Sequence, residues 1–164
     1  MPDDLYDRDI LEWSERQAAA LRDIASDEKH GDVDWPRVIE EIQGVGTAQL
    51  NDVRGIIRQA MMALLVIHLD WKNLARPDRI LELACLLDDA GEQFTPSMKQ
   101  RIDLNTMWHR LRERTIRNSS DDPRCRALPE HCPWTLEALL ANDHDALLVA
   151  LAGWPVAPAT LTLS

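Results

Sequence analysis

Phenylalanine and tyrosine occur once each in 164 residues, glycine six times and cysteine three times. No alternation of apolar and polar residues, no internal repeat and no low-complexity block runs through the chain, so β-sheet and repeat architectures are not expected. Three cysteines are too few for a disulfide framework and read as reduced thiols. The longest purely apolar run, 60–67, falls far short of the roughly 20 residues that a membrane span needs. The acidic opening Met1-Pro2-Asp3-Asp4 has no apolar h-region, so no secretory signal is expected and a cytoplasmic location is. Positive charge is also scarce, with 18 Lys and Arg against 28 Asp and Glu for a formal charge of −10. That balance repels polyanions and argues against nonspecific coating of DNA or RNA.

What is present is helical patterning. Tyr6, Ile10, Trp13, Leu21 and Ile24 recur at three- and four-residue steps and predict a first helix over about 5–25, capped by Asp3 or Asp4. Ser26 to Asp34 has no period and reads as a loop. Asp34 and Pro36 open a short second helix with Trp35, Val38, Ile39, Ile42 and Val45 on its apolar face. Gly44 and Gly46 read as its stop, and Thr47 as the cap of a third helix reaching about Leu74. The stripe of that third helix is Leu50, Val53, Ile57, Met61, Leu64, His68 and Trp71. Because the 60–67 run adds apolar residues outside it, burial on more than one side is expected.

A fourth helix carries Ile80, Leu83, Leu87 and Phe94. Thr95-Pro96 predicts the start of a fifth with two apolar edges, one of Leu104, Trp108 and Leu111, the other of Met98, Ile102 and Ile116. Asn118 to Cys132 looks irregular, and short helices over 135–140 and 143–152 follow. The expected fold is therefore all-α, an antiparallel bundle of about five main helices plus one or two short C-terminal ones. A single domain over 1–153 and a loosely ordered tail over 154–164 complete that expectation.

Charge is unevenly spread. Residues 1–45 hold 13 acidic and 5 basic side chains, whereas 99–126 hold 8 basic and 4 acidic. Arg110, Arg114 and Arg117 fall on one side of the fifth helix, which makes them a candidate charged face for phosphate, nucleic acid or an acidic partner. A plain solvated face is the competing explanation.

The standard chemical signatures are missing: no phosphate loop, no His-Glu-x-x-His, no Gly-x-Ser-x-Gly and no Glu-x-x-His. Gly44-Val45-Gly46 follows a helix, whereas a dinucleotide fingerprint follows a strand. His68 stands out because it interrupts an apolar stripe, and a buried imidazole needs polar partners. If the chain reverses near Gly46, Glu41 lies in a different layer from His68; His68 instead falls beside Leu83 of the fourth helix, which lies opposite about Asn105 of the fifth. His68 and Asn105 are thus the candidate polar pocket, with a satisfied core histidine as the plainer alternative. Cys125, His131 and Cys132 lack the paired clasp and the fourth ligand of a zinc site, so neither metal nor cofactor is expected. Cys85 reads as a small apolar filler, and Trp154 as the tryptophan best placed to touch a partner.

Several of these residues also carry a resemblance. Leu5-Tyr6 with Asp9 and Trp13, Glu40-Glu41-Ile42 with Gly46, and His68-Leu69 with Trp71-Lys72 occur in order. Leu128-Pro129 and Cys132-Pro133-Trp134-Thr135-Leu136 close the series. In order and spacing the chain resembles the bacterial domain-of-unknown-function family numbered twenty-nine, over about 5–140. The resemblance implies an all-helical fold and no assigned activity. Family members tend toward a Trp- and Arg-rich fourth helix, whereas Ile80 to Asp89 here is aliphatic and acidic.

Three functions follow as expectations. The first is a non-catalytic helical interaction protein that binds itself as a homodimer or binds another protein. The second is a small enzyme or ligand-binding bundle around His68. The third is a nucleic-acid or phosphate binder through Arg110, Arg114 and Arg117. No membrane partner is expected.

Overall fold

The computed structural model describes residues 4–26, 32–69, 76–118 and 122–152, and every regular element among them is helical. In order they are α1 (Leu5–Arg8), α2 (Ile10–Ala25), α3 (Trp35–Leu69), α4 (Arg76–Gln93), a 3-10 helix (Pro96–Arg101), α5 (Leu104–Asn118), α6 (Pro123–Arg126), α7 (Leu136–Leu140) and α8 (His144–Ala152). Where the sequence suggested one domain, the described residues group into two compact units. The first takes those up to Gly55 together with Glu92–Ile102; the second takes Ile56–Gly91 and those from Asp103 onward. The expected tail and Trp154, like Trp71, lie outside the described residues.

Three expected boundaries are corrected. The first helix is two helices, because Asp9 leaves helical geometry at φ −154° and ψ 82° and its carboxylate caps α2. The second and third helices are one. Asp34 caps the start of α3 by accepting the Arg37 N–H, and the helix then runs 35 residues through both glycines. A glycine that ends a helix sits at positive φ, and no described glycine does. The fifth helix, conversely, is split. Pro96 opens a 3-10 helix that ends at extended Ile102. Asp103 then starts α5 by accepting both the N–H and the hydroxyl of Thr106, at 2.9 and 2.7 Å. Met98 and Ile102 of the second apolar edge therefore precede α5, whereas Ile116 shares α5 with Leu104, Trp108 and Leu111.

In the first unit, Leu5, Ile10, Leu11 and Ala18 are buried, as are Ile39, Leu50 and Val53 of α3 and Met98. Gly46 explains how α3 comes so close to α2. A Cβ there would lie 2.2 Å from Ser14 Oγ and 2.8 Å from Leu11 Cα, so only a hydrogen fits.

In the second unit the α3 stripe does what its pattern demands. Ile57, Met61 and Leu64 are buried, with Ala60, Leu65 and Ile67 beside them. Burial stops short of the whole circumference, since Met62 is 40% exposed. Leu83 and Leu87 of α4 and Trp108 of α5 complete the helical part of this core.

Two indoles secure the irregular C-terminal segment to that core. Trp108 is fully buried and donates its Nε1–H to the Pro129 carbonyl at 2.9 Å. Trp134 meets it edge to face at 5.4 Å and donates to the Leu147 carbonyl, also at 2.9 Å. Asn142 follows α7 at φ 53° and donates to the Ala84 carbonyl and the Asp88 carboxylate of α4. Asparagine tolerates that left-handed backbone better than other L residues.

Gly44 and Gly46 of α3 give a test of opposite signs. G46A should lower stability by ~1–3 kcal/mol, because the Leu11 backbone cannot yield to the new methyl. G44A, with nothing within 4 Å of its Cβ position, should raise stability by up to ~1 kcal/mol through helix propensity. Urea midpoints of the two variants moving in the same direction would contradict this packing.

Candidate functional site

The residues singled out in the sequence do not assemble into one site. His68 lies in the last turn of α3, half-buried instead of sealed among aliphatic side chains. Asn105 lies in the first turn of α5, exposed, and its carbonyl oxygen accepts the Cys132 N–H at 3.0 Å. Among the described residues no hydrogen bond joins the two. The chain reversal at Gly46 that was expected to set Glu41 apart from His68 does not occur, because α3 continues through that glycine.

Arg124 is the neighbour that matters to His68. Burial first, and the Arg124 charge second, hold the imidazole below its ordinary 6.5, so it is neutral at pH 7. Arg124 itself is held against Asp122, with Nε at 3.0 Å and Nη2 at 2.7 Å from the carboxylate. Its Nη1 donates to the Leu69 carbonyl. A cation is thereby placed on a carbonyl of the last turn of α3, where the helix dipole favours positive charge.

Arg110, Arg114 and Arg117 are exposed on α5. Arg112 is not part of that face; its Nε donates to the Leu128 carbonyl at 3.1 Å. Cys125 is buried and His131 is exposed. The Cys132 thiol donates to the Trp134 carbonyl at 3.4 Å, and burial raises its pKa. Cys85 is exposed and therefore fills no core gap. Among the described residues no three His, Cys, Asp or Glu side chains gather as metal ligands do.

The most elaborated polar group is one that the motif search passed over. Asp9 is only 4% exposed and accepts four hydrogen bonds. Its Oδ1 takes the Glu12 N–H at 3.1 Å, the Thr95 hydroxyl at 3.0 Å and the Ser97 hydroxyl at 2.6 Å. Its Oδ2 takes the Ser97 N–H at 2.9 Å. One carboxylate thus caps α2 and fastens the start of the 3-10 helix to it. A carboxylate offers about four acceptor sites, and four donors already answer Asp9, three of them on Oδ1. Burial raises its pKa, yet the bonds from Ser97, Glu12 and Thr95 together outweigh that and hold it below the ordinary 3.8. The available signal was Asp9-x-x-Glu12, a capping pattern embedded in an apolar period and masked by it.

The arrangement defines an all-α protein whose central buried charge is occupied in holding two helices together. The chain belongs to the family described as Domain of unknown function DUF29, which it matches over residues 5–145. No curated protein matches it. Among solved structures it is similar to an alpha-helical protein of unknown function from Rhodospirillum rubrum, at 22% identity and a TM-score of 0.78. The likeness covers 89% of this chain and 96% of that one, and it bears on the fold alone. Neither comparison carries an assigned activity.

Two titrations follow. Asp9 has a depressed pKa in the folded state, so its stabilisation is present above 3.8 and is lost as pH falls below that value. D9N should cost about 1–3 kcal/mol at pH 7, with the deficit shrinking at pH 3; a deficit unchanged with pH would contradict the assignment. For His68, NMR should place the imidazole below 6.5, and R124Q should move it upward. A wild-type value at or above 6.5 would contradict a ring held by burial beside Arg124.

Proposed function

We propose that this protein is a non-catalytic, cytoplasmic helical interaction protein that pairs with a second copy of itself. The observation that carries the reading is the uncovered apolar face on the N-terminal part of α3. Val38 and Val45 are 38% and 42% exposed although they lie two turns apart on one side of the helix. Trp35 and Ile42 beside them are half-buried, and Ile39 is the buried member of that predicted face. A stripe patterned for burial but left open is the usual mark of a surface that meets another chain. Ile24 and Val33 of the same unit are exposed at 46% and 44%.

Charge favours a second copy as the occupant. The acidic segment 1–45 contains this face, and the Arg110, Arg114 and Arg117 side is the complementary patch that another copy would offer. The cytoplasmic part of the reading is supported by three cysteines that are not joined in a disulfide. Among the described residues, no helix is long and apolar enough to cross a membrane. A ligand site pairing His68 with Asn105 is the second reading; a neutral, half-buried imidazole favours it, and the Asn105–Cys132 bond works against it. Polyanion binding by the arginine face is a third, which would show as salt-sensitive retention.

Sedimentation velocity across a range of concentrations tests the first reading. The wild type should form dimers, and V38D/V45D should sediment as a folded monomer with unchanged helicity. A wild type that stays strictly monomeric at high concentration would refute it.

A further inference from the structure

A groove in the second unit, separate from the open face of α3 and independent of the dimer reading, has the chemistry of a small-molecule site. It lies along α3 and α4 and holds about 340 Å³. Met62, Val66 and Leu86 supply apolar lining, and Arg58, Arg79 and Glu82 supply charge. The apolar lining is accessible: Met62 is exposed, and Val66 and Leu86 are half-buried, so their side chains face open space and not the core.

The second observation is polar. Arg79 Nε is sealed from solvent and has no hydrogen-bond partner among the described residues. Native structures rarely leave a charged group with a desolvated, unanswered donor. The sealed Nε cannot itself meet a ligand. The Nη1 and Nη2 donors of the same guanidinium are not sealed and have no partner among the described residues, so they are the ones a ligand's acceptor would meet. A guanidinium presents its N–H groups in a planar fork that matches a carboxylate. Two arginines against one glutamate leave one net positive charge, which a monoanion neutralises and a dianion exceeds. The volume is at the small end of ligand pockets and suits roughly a dozen non-hydrogen atoms, at about 30 Å³ each.

We infer that the α3–α4 groove binds an aliphatic monocarboxylate, with the carboxylate on Arg79 and Arg58 and the chain along Met62, Val66 and Leu86. The charged head fixes orientation, and the flexible Met62 thioether adapts to the chain.

Octanoate is the probe. Calorimetric titration of the full chain should show saturable binding. Octan-1-ol, with the chain but no charge, and sulfate, with charge but no chain, should each bind at least ~10-fold more weakly. R79Q should weaken octanoate by ~10-fold or more, and R58Q, at an exposed position, by less. On the wild type, the Met62 methyl should shift on addition of octanoate, a readout that needs no variant. Failure of octanoate to bind, equal binding of octan-1-ol, undiminished binding to R79Q, or an unmoved Met62 methyl would each overturn the assignment.

Discussion

The structure depends on one close approach, that of α3 to α2 at Gly46. Any side chain at that position would collide with the backbone of Leu11 and the hydroxyl of Ser14. Because the contact is made by a glycine inside a helix, α3 continues for 35 residues and supplies buried side chains to both compact units. Helix propensity opposes this choice, since an interior glycine costs up to ~1 kcal/mol relative to alanine. Tertiary packing outweighs it. Leu11, Ser14 and Ala18, on the same face of α2, are all buried.

Around that contact, polar groups are spent on fastening chain segments. Asp9 joins the start of α2 to the residues that open the 3-10 helix. Arg124 closes the end of α3, and Asn142 ties the turn after α7 to α4. The indole of Trp108 holds the Pro129 carbonyl of the irregular stretch between α6 and α7, and that of Trp134 holds the Leu147 carbonyl of α8. Where such a bond answers a buried backbone group outside a helix ladder, leaving it unmade would cost about 1–3 kcal/mol. The largest polar investments therefore serve architecture. The surfaces left over for recognition are the open valines of α3 and the arginine-lined groove.

How far the sequence could be read follows the same division. Periodicity was legible where burial follows the stripe: Leu50, Val53, Ile57, Met61 and Leu64 are all buried, as are Leu83 and Leu87. The short helices near 136–140 and 144–152 were legible from their caps and flanking prolines, and Thr135 does cap the first of them. Gly46 was misread because the same residue type serves two physical ends, a left-handed helix stop and a close helix contact. Only the neighbour across the contact distinguishes them. Asp9 and Asp103 were missed for a related reason. A cap inside an apolar period interrupts the helix without interrupting the pattern, since the next helix resumes in nearly the same phase. Only the separation of Glu41 from His68 rested on the misread glycine; His68 and Asn105 were paired through the expected reversals after the third and fourth helices. The groove went unseen because its evidence is a desolvated Nε, a property of packing and not of spacing.

The continuity of α3 can be measured directly as a distance. Spin labels on cysteines replacing the exposed residues Arg37 and Asp52, with Cys85 changed to serine, span 15 positions. One uninterrupted helix puts their backbone attachment points roughly 22 Å apart, at ~1.5 Å per residue. A reversal at Gly46 would bring them to about 11 Å, the spacing of neighbouring antiparallel helices. A single distribution near the longer value is the predicted result; a population at the shorter one would contradict the account.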